Sequence, residues 1–485
     1  MELSERANHR LVDRGSDSVS ADRLSERLGR WSQGEGTLAD RLARAVAALI
    51  SRGELRPGDR LPAERTLAAA ISVSRGSVVA AYGILADDGL VERRQGSGTR
   101  IAGAALRLGT TGGAGRGEAL FSASPSSIDL LRSVPRIPEL AVEIVREHAP
   151  ALDPLLLSET DPVGLPMLRA RIAARFAAEG TPTTPEQIIV THGAQAALHL
   201  AVGELVSPGD VVLTEEVTWP GLFDAVRRRG GRVHGLPMGP DGLDMAALED
   251  AIALLRPALV AVNPHHQNPT GTRMPAAARL RLAELAAEYG VPVLEDRVLA
   301  PIAFDGVVQP SLAALRPDAP VLVAESVSKW AWAGLRVGWL RADPVLVRRM
   351  RASRQTVDLF TSVPAQLLAL DFLDRAEPLR KQVIETHAAR LELLRGWLAE
   401  HLPDWEYATP RGGLSLWARL PEGSADAFIR LAASRGVAVA GSRAFSVSAS
   451  EDDRIRIPFT APDELLHEAV VRLGEAWRER RLTTR

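Results

Sequence analysis

The chain of 485 residues carries almost all of its positive charge on arginine: of 58 Lys and Arg residues, only Lys329 and Lys381 are lysines. Arginine stays protonated in proteins, whereas a lysine amine can lose its proton and form an imine. Lys381 lies in the polar segment PLRKQVIETHAARLELL, which is typical of a solvated helix. Lys329 follows an apolar run in ESVSKWAWAGLRVGWL, so we predict that Lys329 is the reactive lysine.

Two polar residues stand where they could serve a cofactor beside this lysine. Asp296 ends the run VPVLED, at the carboxyl end of a predicted parallel strand, where α/β folds present ligand-binding residues. Asn268, in HHQNPTG, can donate a side-chain hydrogen bond from a tight turn. An imine-forming lysine with an acid under a pyridine nitrogen indicates pyridoxal 5'-phosphate (PLP).

Such a cofactor also needs donors around its phosphate. The segment THGAQAAL predicts a helix start, where free backbone amides and the helix dipole favour a phosphate. Hydroxyl and guanidinium groups near the lysine could complete the cup. The candidate phosphate donors are Gly193, Ala194, Gln195, Ser326, Ser328 and Arg336.

Two further positions complete the predicted cofactor site. Trp219 in EEVTWPG is a candidate stacking ring, although a lone Trp more often packs in a core. Arg456 in RIRIPF could grip an amino-acid carboxylate with two hydrogen bonds. Arg454 shares the same strand face and remains a rival for that role.

The composition excludes several classes of protein. With no cysteine, the chain has neither disulfides nor thiolate metal sites, and the ten histidines lack HExxH-like spacing, so we expect no metal. No apolar run is long enough to span a bilayer, and the first thirty residues lack a secretory signal, which favours the cytoplasm. The length predicts at least two folding units.

The elements before residue 102 predict a small DNA-reading unit. Helical periodicity covers 37–50, 63–71 and 74–88, and the runs LVERR and TRIA around Gly96 predict a hairpin. Three helices and a hairpin form a winged helix-turn-helix. Such a unit reads bases with the start of its second helix-turn-helix helix, where Ser74, Arg75 and Ser77 stand.

The chain therefore divides into an N-terminal extension (1–36), the winged helix-turn-helix (37–101), a Gly- and Ser-rich flexible linker (102–127) and a large domain (128–485). In the large domain, apolar runs alternate with helices, which predicts a largely parallel α/β sheet. From about residue 370 the pattern predicts a smaller α+β subdomain.

The segment from GELRPGDRLPAER to RRQGSGT closely resembles the GntR-type winged helix. The resemblance implies that Arg65 and Arg75 contact bases or phosphates, that Arg93 and Arg94 contact phosphates, and that Gly96 lets the wing approach the DNA backbone. Gly76 departs from the Ser or Thr often found there, so the base preference at that place stays open.

The remainder, from about residue 128 to 475, resembles fold-type I aminotransferases, and the whole chain resembles MocR-type regulators of the GntR superfamily. The resemblance implies the roles given above for Lys329, Asp296, Asn268 and Trp219, for the phosphate donors and for Arg456. It also implies a homodimer. One departure concerns the Tyr that many aminotransferases carry shortly after the Asp, because EDRVLA offers only Val298 and Leu299 there.

Two functions remain open from the sequence. The first is a transcriptional regulator that binds a two-half-site operator in double-stranded DNA and senses PLP or an amino compound. The second is a PLP-dependent aminotransferase of amino acids with the winged helix as an accessory. A fold that binds DNA but no cofactor is disfavoured, because Lys329, Asp296 and Asn268 are all present.

Overall fold

The structure is a computed structural model that describes residues 20–28, 31–32, 37–51, 55, 59–87, 90–94, 98–101, 120, 123–124, 126–148, 161–448 and 452–483. The chain divides into two compact units, Met1–Gly115 and Arg116–Arg485. Each unit has its own hydrophobic core.

The first unit is a helical bundle with a two-stranded hairpin. Its elements are α1 (Ala21–Leu28), α2 (Leu38–Ser51), α3 (Glu64–Ala70), α4 (Arg75–Asp87), β1 (Val91–Arg94) and β2 (Gly98–Ile101), the two strands being antiparallel. Leu24, Val46, Leu67 and Tyr82 are fully buried in one core. The predicted extension therefore contributes a helix, α1, to this unit. The turn between α3 and α4 passes through Ser72 with a φ of 54°.

The second unit is built on a seven-stranded sheet. Its strands are β4 (Ile188–Thr191), β5 (Val211–Glu215), β6 (Arg232–Leu236), β9 (Leu259–Val262), β10 (Val293–Asp296), β11 (Val321–Ser326) and β12 (Gly338–Arg341), in the order β4-β12-β11-β10-β9-β5-β6. Strand β12 runs antiparallel to both of its neighbours, and the pairs from β11 to β6 are parallel. The prediction of a largely parallel sheet is thus confirmed, although β6 and the antiparallel β12 were not among the predicted strands.

Helices cover this sheet and give it two cores, one on each face. They are α5 (Glu139–His148), α6 (Pro166–Ala178), α7 (Ala194–Leu205), α8 (Pro220–Arg228), α9 (Met245–Leu255), α10 (Ala276–Tyr289), α11 (Leu312–Leu315), α12 (Pro344–Arg354) and α13 (Val363–Asp374). Strands buried on both faces read as continuous apolar runs, which is why the sequence pattern predicted most of them.

A smaller α+β part follows α14 (Ala376–His401). The first half of α14 packs into a core of the seven-stranded sheet, here called the large core, and its second half packs into the core of the smaller part, here called the small core.

The smaller part contains an antiparallel sheet of four strands, which are, in order, β13 (Glu406–Tyr407), β14 (Ser415–Arg419), β17 (Arg454–Pro458) and β16 (Ala440–Gly441). The remaining elements of the second unit are β3 (Ile128–Asp129), β7 (Met238–Gly239), β8 (Gly242–Leu243), α15 (Ala425–Ser434), β15 (Val437–Ala438), α16 (Ser442–Phe445) and α17 (Asp463–Thr483).

Two details at the start of the second unit differ from the predicted layout. Leu120, which falls inside the predicted linker, is buried in a cluster with Leu131, Val217 and Trp417. Strand β3 pairs in parallel with β15, so the chain near residue 128 joins the smaller α+β part. An isolated Leu among Gly and Ser gives no periodic signal, and the sequence therefore did not reveal this contact.

No single helix among those described is long and apolar enough to cross a membrane. The bent pair formed by α3 and α4 has the length and composition of a membrane span, and nothing beyond these two properties supports one.

Candidate functional site

Lys329 lies three residues after the end of β11, in a half-buried position of the second unit. Its ammonium donates a hydrogen bond to the backbone oxygen of Ser133 over 2.6 Å. Burial of the amine and, next in size, the charge of Arg456 together lower the pKa of Lys329 to about 8, against the opposing charge of Asp296. The geometry therefore keeps an amine that can lose its proton close to neutral pH.

Asp296 ends β10, the parallel neighbour of β11, and is paired in register with Ala324. One of its carboxylate oxygens accepts a hydrogen bond from the backbone N–H of Val298 over 3.0 Å. Burial raises the pKa of Asp296 to about 6, and the nearby Lys329 opposes that rise. Since adjacent parallel strands end at one edge of the sheet, the fold brings Asp296 and Lys329 into one cluster.

Arg456 lies in β17 with 1% of its surface exposed and joins this cluster from the smaller α+β part. Its guanidinium donates to Oδ1 of Asn268 over 3.0 Å and to the backbone oxygen of Leu131, and it lies 4.6 Å from the centre of the Phe445 ring. Burial lowers the pKa of Arg456 to about 9, with the charge of Asp129 opposing. Its Nε is buried and has no hydrogen-bond partner among the described residues.

Arg454 lies two residues earlier in the same strand and has a different environment. It is partly exposed and lies 3.8 Å from the carboxylate of Asp453. The structure thus places Arg456, and not its rival, beside Asn268 and Lys329.

The predicted phosphate donors come together around the start of β12. Because β12 is antiparallel, Gly338 pairs with Ser326 of β11 on one side and with Thr191 of β4 on the other. The serine segment and the start of α7 therefore meet at the same place. The hydroxyls of Ser326 and Ser328 are 2.6 Å apart.

Arg336 closes this phosphate cup. It has a φ of 58°, and its guanidinium donates to the backbone oxygen of His192 over 3.0 Å. A Cβ added to Gly193, whose φ is 83°, would stand 2.8 Å from that guanidinium. Gly193 precedes the first turn of α7, where the N–H groups of Ala194 and Gln195 have no acceptor within the helix.

Gly338 has a position in the candidate site that the sequence did not predict. A Cβ there would stand 2.7 to 2.8 Å from the backbone of Glu325, Gly193 and Ala194. Only a glycine lets these three backbone segments approach so closely. Nothing in the sequence distinguished this glycine from the other 39 in the chain.

Trp219 is held in place by Gln195. The indole N–H donates to Oε1 of Gln195 over 2.6 Å, and the amide of Gln195 donates to the backbone oxygen of Gly221 over 3.0 Å. The sequence assigned Gln195 to the phosphate through its backbone, whereas its side chain fixes the orientation of the predicted stacking ring. Because Gln195 and Trp219 lie 24 residues apart in the chain, the local sequence pattern does not reveal their contact.

In the first unit, the predicted DNA-reading residues lie at the start of α4. The hydroxyl of Ser74 accepts a hydrogen bond from the N–H of Ser77 over 3.0 Å, so Ser74 caps the helix. The side chain of Arg75 is 69% exposed, and its guanidinium lies 3.6 Å from the carboxylate of Glu64. Arg65 is exposed in α3.

The wing is only partly described. Arg93 and Arg94 end β1, but their side chains are not among the described ones, and Gly96 lies outside the described residues altogether.

The residues of the second unit fit PLP chemically. They provide a deprotonatable lysine, a buried carboxylate at the neighbouring strand end, a helix start beside hydroxyl and guanidinium donors, and a buried guanidinium whose Nε has no partner. The position where many aminotransferases carry a Tyr holds the apolar side chains of Val298 and Leu299.

Comparison with known families assigns each unit. Residues 142–473 match the family model "Aminotransferase class I and II", and residues 38–101 match "Bacterial regulatory proteins, gntR family". Aminotransferases of this class and fold depend on PLP.

Individual relatives include an enzyme and a regulator. The chain is 32% identical to 2-aminoadipate transaminase of Thermus thermophilus, over 70% of this chain and 85% of that protein. It is 28% identical to the probable rhizopine catabolism regulatory protein MocR of Rhizobium meliloti, over 74% of this chain and 77% of that protein.

Among solved structures, the alpha-aminoadipate aminotransferase LysN of Thermus thermophilus, complexed with N-(5'-phosphopyridoxyl)-L-leucine, matches with a TM-score of 0.67 and 28% identity, covering 76% of this chain and 98% of that one. The chain belongs to the aminotransferase class I and II family and, with a GntR-family DNA-binding unit in front, has the architecture of a MocR-type regulator.

Proposed function

We propose that this GntR-type regulator senses PLP or an amino compound at Lys329 and converts the occupancy of that site into a change in DNA binding. The observation that supports the proposal is the position of Lys329: its amine, with a pKa lowered to about 8, lies in a cluster of candidate cofactor-binding groups, in the same chain as a GntR-family unit with an exposed Arg75. A sensor of this kind needs two states that differ in their affinity for the ligand and for DNA.

In this proposal the second unit holds PLP through side chains from several strand ends. Lys329 would bind it covalently, Asp296 would pair with the pyridine nitrogen, Asn268 would donate to the phenolic oxygen and Trp219 would stack on the ring. The candidate donors to the phosphate are Gly193, Ala194, Gln195, Ser326, Ser328 and Arg336. PLP, when bound, supplies an aldehyde that condenses with amines and a ring that withdraws electrons.

The chain's own residues prepare the amine for this reaction. Ser133 accepts a hydrogen bond from the Lys329 ammonium and so directs it, while burial and the charge of Arg456 favour loss of its proton. The Asp296 carboxylate, whose pKa lies at about 6, is mostly ionised at neutral pH and can hold a proton on the ring nitrogen.

An amino acid would enter with its carboxylate on Arg456. This guanidinium is buried, and in the described part of the chain it has no carboxylate partner within ion-pair distance. A buried cation without an ion pair is costly, and a ligand carboxylate would remove that cost. Asn268 lies between this arginine and the cofactor position and would orient both.

For DNA, we propose that α4 enters the major groove with Arg75 and Ser77 toward base edges, while Arg65, Arg93 and Arg94 contact phosphates. A homodimer would place two such helices on an operator with two half-sites. The same reasoning locates the protein in the cytoplasm, where its DNA is.

The visible absorption spectrum tests whether Lys329 binds PLP covalently. Purified protein loaded with PLP and then dialysed should keep a yellow absorption band, and Lys329→Ala should lose it because no amine remains to hold the aldehyde. Lys381→Ala, which removes the other lysine, should keep the band. A dialysis-resistant band in Lys329→Ala, or a colourless wild type, would contradict the assignment.

The pH dependence of PLP capture tests the lowered pKa of Lys329. Only the neutral amine attacks the aldehyde, so the rate at which protein stripped of PLP captures it should rise as the pH passes about 8 and then level off. Arg456→Ala removes a charge that lowers the lysine pKa, so the rise should move to higher pH. Arg454→Ala, two residues away and beside Asp453, is the control and should leave the profile in place. Equal profiles for wild type and Arg456→Ala would refute this electrostatic coupling.

The DNA-reading role of Arg75 is tested by binding to a DNA fragment from the protein's own promoter region at fixed salt. Arg75→Ala should weaken binding by about 1 to 3 kcal/mol, because a bidentate base contact is lost. Arg395→Ala, a partly exposed arginine of α14 paired with Glu392 in the second unit, should have no effect. Arg75→Ala should also keep the yellow band, and an unchanged affinity would remove Arg75 from the recognition role.

A further inference from the structure

A groove with a volume of about 520 Å³ lies on the second unit, outside the PLP site. It is formed by the residues that follow α6, by the segment between β10 and α11, by α11 itself and by the first turns of α14. Glu179, Val308, Gln309, Pro310, Leu315 and Arg380 line it. Grooves of this size accommodate small molecules.

The polar groups of the groove are not all satisfied. Glu179 is engaged by two arginines, with Arg297 at 3.3 Å and Arg175 at 3.7 Å. Arg380 has no hydrogen bond or ion pair within the described part of the chain. The side-chain oxygen of Gln309 has no donor among the described residues, but it is buried away from solvent and does not face the groove. The groove therefore offers one cation that is without a partner in the described part of the chain and, in the partly exposed Glu179, one carboxylate, beside apolar side chains.

Arg297 connects this groove to the PLP site. It is 1% exposed and directly follows Asp296. Its guanidinium donates to the backbone oxygen of Gln309 over 2.9 Å and to Glu325, which directly precedes Ser326, also over 2.9 Å. One buried side chain thus links the wall of the groove to the strand ends that carry the pyridine carboxylate and the phosphate hydroxyls.

The groove also borders the helix that joins the two parts of the unit. Arg380 lies in the first half of α14, beside Leu379 and Val383 of the large core, whereas Leu391 and Leu398 of the same helix belong to the small core. A ligand on Arg380 would therefore contact an element shared by both cores.

We propose that this groove is a second binding site, for a free amino acid with an apolar side chain. The ligand carboxylate binds Arg380, its ammonium pairs with the partly exposed carboxylate of Glu179, and its side chain packs on Val308, Pro310 and Leu315. This site lies beyond the sensor site at Lys329, and through Arg297 it acts on the position of Asp296. The protein thus reads an amino acid without reacting with it.

The experiment separates this groove from the reactive lysine. Holoprotein treated with borohydride carries PLP fixed irreversibly on Lys329, so an added amine can no longer react there. L-valine is titrated into this protein by calorimetry, in parallel with isobutylamine, which lacks the carboxylate, and 3-methylbutanoate, which lacks the amine. L-valine should bind, and each analogue should bind more weakly because one of the two polar contacts is lost.

Variants locate the binding site. Arg380→Ala should weaken L-valine binding at least about tenfold, as expected when a charged hydrogen-bond partner is removed. Lys381→Ala, the neighbouring exposed cation that lies 3.9 Å from Glu385, should bind like wild type. Arg456→Ala should also keep the binding. Absence of L-valine binding, equal binding by Arg380→Ala, or a loss confined to Arg456→Ala would each overturn the proposal.

The link to the PLP site has its own readout. The fixed pyridoxyl group is fluorescent, so L-valine should change its emission with the same midpoint as the calorimetric titration, and an unchanged emission would refute the coupling through Arg297. The titration is repeated on Lys329→Ala protein without PLP, where binding depends on the groove alone. A failure of the PLP assignment is thereby distinguished from a failure of this site.

Discussion

The candidate site depends on a single antiparallel strand. Strand β12 lies between β4 and β11, and its first residue, Gly338, touches the backbone of both neighbours. If β12 ran parallel to its neighbours, its other end would lie at this edge of the sheet. The start of α7 would then have neither Ser326 and Ser328 nor Arg336 beside it. Because Gly338 has no side chain, the backbone of β11 and the start of α7 can approach each other closely at this point. The cup, the lysine and the pyridine carboxylate all take their positions from this arrangement.

The electrostatics of the site follow from its burial among few charges. Desolvation lowers the pKa of Lys329 and of Arg456 and raises that of Asp296. The pKa of each group therefore lies closer to neutral pH than it would in water. Each of the three also lies within the field of at least one other charged residue. Groups poised in this way respond to a ligand that brings its own charge, which is the property a sensor requires. The apolar residues after Asp296 leave Asn268 as the side-chain donor assigned to the phenolic oxygen.

Much of this was predictable from the sequence because the strands of the large sheet are apolar throughout and end in polar residues. Lys329 and Asp296 were found by that pattern and by the scarcity of lysine. The contacts of Ser133 and Leu131 with the site were not predictable, since backbone oxygens carry no residue signal. Nor was the pairing of Gln195 with Trp219, which depends on tertiary packing. The choice between Arg454 and Arg456 required the structure, because alternation in a strand places both on one face.

The central claim is that the occupancy of Lys329 governs DNA binding, and one measurement tests it most directly. The affinity of the protein for a DNA fragment from its own promoter region is measured with PLP bound and with PLP removed, at one salt concentration. The account predicts a difference of at least about fivefold between the two forms, the lower end of ordinary allosteric coupling. Equal affinities in the two forms would contradict it.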